Sequence, residues 1–353
     1  SGRYNEQDLA RFVACYRHSF TQMLTAPQTL CDKPLLQPEA QQQLTQWSGS
    51  FNRMDQELSL VDKLAEVVAE HGDAIALKDA HTTYSYTELQ SQAQALAGAL
   101  VAQGVQPNER VGVLFERSMD AVLAILAVVQ AGACYVPVDA QYPQERIRFM
   151  MEDAQVSRVI SADTLCDTAG LEACHVLPWS LLETQAVQCA PVSVAMRHAQ
   201  SASYVMYTSG STGTPKGVEV IDQGLLRLAA NRSELAINAE DVLLQLAPIV
   251  FDASSFEIWA ALLNGATVAV ADTGKVTVEL IEQEIARHQV SVLWLTASLF
   301  HVVVDEKVSA LKGLRALVAG GDALSPRHVS TYLAAPWSHT LVNGYGPTEA
   351  TTF

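Results

Sequence analysis

Basic residues are scarce in this sequence of 353 residues: Lys and Arg total 22 against 38 Asp and Glu, a formal charge of −16. Nucleic acids and anionic membranes are bound through basic patches, so neither is an expected partner. A phosphate-bearing ligand would have to be held by local donors and a metal, not by a general positive field. The six cysteines (Cys15, Cys31, Cys134, Cys166, Cys174 and Cys189) are scattered and form no Cys-x-x-Cys pair, which points to a reduced, cytoplasmic protein. No signal-peptide pattern opens the sequence as given, and no apolar run reaches the ~18 residues needed to cross a bilayer. Internal repeats of the solenoid kind are absent. The length suits one large domain or two ordinary ones with a sizeable core.

Against that background one segment stands out, Tyr207-Thr-Ser-Gly-Ser-Thr-Gly-Thr-Pro-Lys-Gly217. The hydroxyls of Thr208, Ser209, Ser211 and Thr212 are interleaved with Gly210 and Gly213, and Lys216 follows. Glycines let backbone N–H groups approach an anion, and hydroxyls and an ammonium add further donors. The order is wrong for a Walker A loop, because Pro215 precedes the lysine and Gly217 follows it. A solvated linker is the plain alternative. Apolar strand-like runs on both sides, Tyr204-Val-Met-Tyr207 and Val218-Glu-Val220, favour a triphosphate cradle between two strands.

Residues 1–50 differ from the rest. Leu9, Phe12, Val13, Tyr16, Phe20 and Leu24 recur at helical spacing, with Asn5 as N-cap and Pro27 as terminator, and a Gln-rich stretch from Pro38 to Trp47 follows. This part either packs on the main domain or is the tail of an upstream one. From about residue 55 strands and helices alternate. Thr87-x-x-Gln90 resembles a capping box, Ser118 caps an apolar helix stopping at Gly132, and a helix is expected from Ser254. Val/Ile/Leu-rich strands between helices imply an α/β fold of two stacked, largely parallel sheets flanked by helices, split near residue 200.

Asn343-Gly-Tyr-Gly-Pro-Thr-Glu349 follows the last expected strand, where open α/β sheets bind ligands. Tyr345 can lie against an aromatic base, Thr348 offers a hydroxyl, and Glu349 suits Mg²⁺. The bland reading is a Gly-Pro turn. In Phe251-Asp-Ala-Ser-Ser-Phe256, Asp252 stands in apolar company, either capping a helix or awaiting a substrate ammonium. His301 and Trp179 read as core or surface filler.

Taken together, these segments resemble an adenylation domain of a nonribosomal peptide synthetase, in the superfamily of acyl-CoA synthetases and firefly luciferase. Tyr84-Ser-Tyr-Thr-Glu-Leu89, Gln130-Ala-Gly-Ala-Cys-Tyr-Val-Pro-Val-Asp139, the 207–217 loop, the Asp252 segment, Ala319-Gly-Gly-Asp322 and the 343–349 segment occur in family order. The resemblance runs from about residue 55 to Phe353, and residues 1–50 resemble the last helix of a condensation domain and its linker.

The resemblance implies ATP-dependent activation of an amino acid as aminoacyl-AMP, then transfer to the phosphopantetheine of a carrier domain. An acyl-CoA synthetase-like activity and a non-catalytic nucleotide-binding module are the alternatives. It assigns Thr208, Ser209, Gly210, Ser211, Thr212, Gly213 and Lys216 to the phosphate loop, Asn343 and Tyr345 to adenine, and Gly344 between them to the nucleotide site. Thr348 falls to the α-phosphate and Glu349 to Mg²⁺, with Thr208, Lys216, Thr348 and Glu349 as the catalytic set. The family's specificity positions fall on Asp252, Ala253, Phe256, Trp294, Val318, Gly320, Gly344, Thr352 and Phe353, a set like that of valine-activating domains. A tenth, a lysine, belongs to the family's C-terminal lid, which with the ribose-binding aspartate and the hinge lies beyond Phe353. The segment given is expected to bind ligand but to turn over poorly. Expected partners are an upstream condensation domain, a downstream carrier domain and an MbtH-like helper protein.

Overall fold

The structure, a computed structural model, describes residues 5–25, 38–47, 58–189, 197–208, 214–230, 235–337 and 339–353. They fall into two compact units, Ser1–Met54 and Asp55–Phe353. The first holds the helices Glu6–Thr25 and Pro38–Trp47. Within the former, Tyr16 and Phe20 stack at 6.3 Å, as a four-residue spacing on a helix allows. Pro27 lies outside the described residues.

In the second unit the chain forms β1 (Ile75–Lys78), β2 (Thr83–Ser85), β3 (Arg110–Leu114), β4 (Cys134–Val138), β5 (Arg158–Ser161) and β6 (His175–Pro178). There follow β7 (Ala202–Thr208), β8 (Lys216–Ile221), β9 (Val242–Gln245), β10 (Thr267–Val270), β11 (Val292–Thr296), β12 (Ala316–Gly320) and β13 (Thr340–Gly344). One sheet has the order β13-β12-β11-β9-β10-β1-β2, the other β6-β5-β3-β4-β7-β8. Only β1–β2 and β7–β8 pair antiparallel; the other described pairs are parallel. Parallel neighbours need a crossover, supplied mostly by helices, which is the two-sheet α/β architecture expected. The sheets do not divide at residue 200. β1 pairs with β10, so residues before 100 extend the seven-stranded sheet, and the β7–β8 hairpin keeps residues 216–221 in the six-stranded one.

Each sheet buries its own core. Leu244, Ala269, Leu293 and Leu317 meet Ile281, Ile285, Phe300 and Val303 from the helices Val278–His288 and Ala297–Lys307. Val136, Val159 and Val205 meet Ile147 and Met150 of the helix Gln144–Asp153. A buried ion pair ties the start of the helix Asp222–Ala229 to the stretch before β7. The Asp222 carboxylate receives Arg197 Nη2 at 2.6 Å and Nε at 2.7 Å, Ser203 Oγ at 2.5 Å and the Leu60 N–H at 3.0 Å.

Two local expectations are corrected. The capping box of the helix Tyr86–Ala102 is Ser85 with Glu88, not Thr87 with Gln90. Thr87 Oγ1 instead donates to the Gly72 carbonyl at 3.0 Å. The helix expected from Ser254 starts one residue earlier, at Ala253, and widens after Ser255 into a π-helix over Phe256–Ala260. Ser118 caps the helix Met119–Gln130 as expected, accepting the Ala121 N–H at 3.1 Å.

Candidate functional site

The hydroxyl-rich segment joins two adjacent strands. Thr208 ends β7, Lys216 opens β8, and the two stand opposite each other in the antiparallel register. Lys216 is exposed. Ser209, Gly210, Ser211, Thr212 and Gly213 lie outside the described residues. The hairpin is anchored by Tyr207, whose hydroxyl donates to Asp153 Oδ2 at 2.7 Å; burial and that carboxylate push its pKa up. Gly217 pairs with Tyr207, and a Cβ there would lie 3.1 Å from the ring Cζ.

At the carboxyl ends of β9, β11 and β13 lies a cavity of about 310 Å³. Asp252, Ala253, Trp294, Gly344, Thr352 and Phe353 line it, together with the Leu246–Pro248 stretch, Phe251 and Leu299. Three of the nine specificity positions do not. Val318 pairs in register with Trp294 and Val342 and is fully buried. Its Cγ1 lies 3.0 Å from where a Cβ on Gly344 would stand, so it supports the wall from behind. Gly320 pairs with Thr296 and Gly344, and a Cβ on it would meet the Gly344 carbonyl oxygen at 1.9 Å. Its lack of a side chain serves the approach of two strands, and its neighbour Gly321 lines the cavity instead. Phe256 packs on Phe353 with ring centroids 5.2 Å apart and faces a second cavity of about 250 Å³.

Asp252 is half-buried at the cavity wall. Its side chain caps no helix. Burial raises its carboxyl above the ordinary range against hydrogen bonds from Thr348 and the Ala253 N–H, and the nearby Glu349 charge adds to the rise. Among the described residues it forms no ion pair. A carboxylate so placed is stabilised by any cation that enters the cavity.

The second cavity is bordered by Asn343, Tyr345, Arg227, Phe256 and Phe353. Tyr345 is 88% exposed, its ring free to receive a flat partner. Thr348 and Glu349 belong to the 3₁₀ turn Thr348–Ala350, with Glu349 exposed. After this turn Thr351 and Thr352 take left-handed backbone angles, φ 61° and 71°, which non-glycine residues avoid. Arg227 holds the bend by donating to the carbonyls of Ala350, Thr351 and Phe353, at 2.5, 3.0 and 3.3 Å. Thr352 Oγ1 donates to the Asp252 carbonyl at 3.0 Å. Sequence reasoning missed Arg227, Arg117 and Glu257, which act on backbone groups. Only Glu257 carried a signal, as the one charge in Phe256-Glu-Ile-Trp-Ala-Ala-Leu-Leu263.

Among the described residues, no three His, Cys, Asp or Glu side chains gather to hold a metal by themselves, and no helix is long and apolar enough to cross a membrane. Residues 64–353 match the family described as AMP-binding enzyme. Gramicidin S synthase 2 of Aneurinibacillus migulanus is 36% identical over 291 residues, an overlap covering 82% of this chain and 6% of that protein. The chain thus spans only a small part of the curated relatives it matches. The structure is similar to the N-terminal subdomain of Klebsiella oxytoca NpsA in complex with 3-hydroxybenzoyl-AMSN, with TM-score 0.80 and 30% identity over 86% of this chain and 76% of that one. An artificial fusion of the same protein, NpsA-ThdA, described as an adenylation-PCP di-domain, gives TM-score 0.79 and 30% identity over 84% of this chain and 59% of that one. With its family match, its two-sheet fold and these relatives in agreement, the chain belongs to the AMP-binding enzymes, on the branch of the nonribosomal peptide synthetase adenylation domains.

Proposed function

We propose that residues 51–353 are the N-terminal core of an adenylation domain that activates L-valine, and that residues 1–50 are the tail helix and linker of a condensation domain. The observation that carries the reading is Asp252, a half-buried carboxylate that forms no ion pair among the described residues, on the wall of an otherwise mostly apolar cavity. An α-ammonium supplies the missing charge. A fatty or aryl acid would leave it unpaired, which disfavours an acyl-CoA synthetase-like activity.

The substrate carboxylate attacks the α-phosphorus of ATP, the α–β bridging bond breaks, and pyrophosphate leaves, giving aminoacyl-AMP. A phosphopantetheine thiol of a carrier domain then attacks the aminoacyl carbonyl and releases AMP. This chain's residues position and neutralise. Asp252 orients the ammonium. Trp294 and Phe353 shorten the cavity, Phe256 and Val318 back those walls, and Ala253, Gly344 and the branched Thr352 complete the lining. Thr208, Lys216 and the 209–213 segment receive the β- and γ-phosphates, a reading supported by the pairing of Thr208 with Lys216 in the β7–β8 register. Asn343 and Tyr345 take adenine, and Thr348 the α-phosphate. Glu349, an exposed oxygen donor, fits Mg²⁺, which when bound neutralises phosphate charge. Carrier and condensation domains, and an MbtH-like helper, complete the proposed assembly; the NpsA-ThdA relative, fused to a PCP, supports the first of these.

Calorimetry with each proteinogenic amino acid in the presence of ATP·Mg²⁺ tests the assignment. Valine binds tightest, isoleucine follows within ~1–3 kcal/mol for its one added methylene, and phenylalanine is rejected. Preference for an aromatic or charged amino acid overturns the pocket assignment, and binding of neither ATP nor any amino acid overturns the adenylation reading.

A further inference from the structure

A carboxyl lies buried behind the cavity wall. Glu257 is 1% exposed and sits in the π-helix Phe256–Ala260, one turn after Asp252. Its Oε2 accepts the N–H groups of Leu246 and Ala247, both at 3.1 Å, and its Oε1 accepts the Ala247 N–H at 3.2 Å. Leu246, Ala247 and Pro248 are cavity wall. The carbonyls of the same turn are held too, and Arg117 ties the turn to the residue after β10. Arg117 Nη1 donates to the Leu246 carbonyl at 2.7 Å and Nε to that of Ala271 at 3.1 Å, and Gln245 Nε2 donates to the Ala247 carbonyl at 2.5 Å. Burial pushes the Glu257 carboxyl up to about 8, against the pull of those N–H groups and of Arg117. Keeping a carboxyl there is unfavourable, and an apolar side chain would fill the space with less desolvation. What only an acceptor can do is satisfy the two N–H groups and fix their turn relative to the helix that carries Asp252. π-helices are rare and gather at functional sites.

We propose that Glu257 is a positioning residue for the amino-acid cavity: its carboxyl sets the distance between the Leu246–Pro248 wall and Asp252, and hence how tightly the cavity holds the aminoacyl part of an adenylate. This rests on the adenylation reading above. Reach, not charge, is the operative property, so shortening the side chain has to hurt more than neutralising it.

The test uses the 353-residue chain and measures binding of AMP and of valyl-, isoleucyl- and phenylalanyl-sulfamoyl adenosine, non-hydrolysable stand-ins for aminoacyl adenylates. Selectivity is read on whichever analogue the unaltered chain binds tightest, divided by AMP. Glu257→Asp withdraws the carboxyl by one methylene and is expected to lower that ratio about tenfold, the effect of losing buried hydrogen bonds. Glu257→Gln keeps an acceptor oxygen at full reach and is expected to stay within about threefold. Should Glu257→Asp not fold, Glu257→Met, which lacks an acceptor, takes its place with the same expectation. Equal weakening of analogue and AMP, no weakening of either, or a Gln variant as impaired as the Asp variant each overturns the proposal. An unaltered chain that prefers the phenylalanyl analogue removes valine but leaves the Glu257 ratio to be judged. A chain that binds no analogue better than AMP removes the adenylation reading, and this inference with it.

Discussion

Asp222 and Asp252 are both withdrawn from water beside a helix start, yet the chain treats them in opposite ways. Asp222 is given two guanidinium nitrogens, a hydroxyl and a backbone N–H, all from within the fold. Asp252 is given a threonine hydroxyl, a backbone N–H and the unfavourable company of Glu349, and it forms no ion pair among the described residues. The first carboxylate closes a structure. The second leaves a place open, and the difference marks which acidic residue awaits a partner from outside.

Removing the internal cation should have the largest effect. Arg197→Met strands Asp222 in the interior, and denaturant unfolding should show a loss of ~3–5 kcal/mol. A loss below ~1 kcal/mol would mean that the pair contributes little. Asp252→Asn should do the reverse, leaving the unfolding midpoint unchanged or slightly raised while costing ~2–5 kcal/mol of amino-acid affinity by calorimetry. An Asn variant that keeps its amino-acid affinity would end the ammonium assignment.

The same division separates two paired glycines. A methyl at Gly320 strikes backbone, so Gly320→Ala should cost ~1–3 kcal/mol of stability whatever the ligand. At Gly344 the added methyl meets the Val318 and Phe353 side chains, 3.0 and 3.4 Å away, which can give. Gly344→Ala should therefore unfold near the unaltered midpoint and lose about tenfold in affinity for valine, more for isoleucine. Equal destabilisation of both variants by thermal melting would show that Gly344 too serves strand approach.

The smallest effect is in pH. A bound ammonium needs Asp252 ionised, so amino-acid affinity should be level above its raised pKa and fall below it, by at most ~1.4 kcal/mol per pH unit. Without ligand the sign reverses: the ionised form is disfavoured in the fold, so stability drops as pH rises from the ordinary carboxylate range through the raised value. Both slopes should flatten in Asp252→Asn, and calorimetry and melting across a pH series on the two proteins would reveal a slope that persists.

What could be read in advance follows the physics of each feature. Alternating apolar strands and helices state their periods locally, so two largely parallel sheets are predictable from sequence. Trp294, Val318 and Val342 share a face because residues paired in register on adjacent parallel strands point to the same side of the sheet, but nothing local says that β1 will join β10 across nearly two hundred residues. Asp252 is conspicuous because its apolar neighbours are adjacent in sequence. Thr87 and Ser85 are equally good caps on paper, and three-dimensional contact with Gly72 decides between them. Arg227 and Arg117 bind backbone carbonyls far along the chain, which no side-chain motif records.

Phe353 lines both the cavity of Asp252 and that of Tyr345. A side chain shared between two compartments is not free to vary for the sake of one. Any replacement that makes room for a larger amino acid also reshapes the neighbouring chamber, so new preferences gained here come coupled to a change next door. Trp294 borders only the first of these two cavities. Drift in amino-acid preference therefore has an open direction, through β11, and a constrained one, through Phe353.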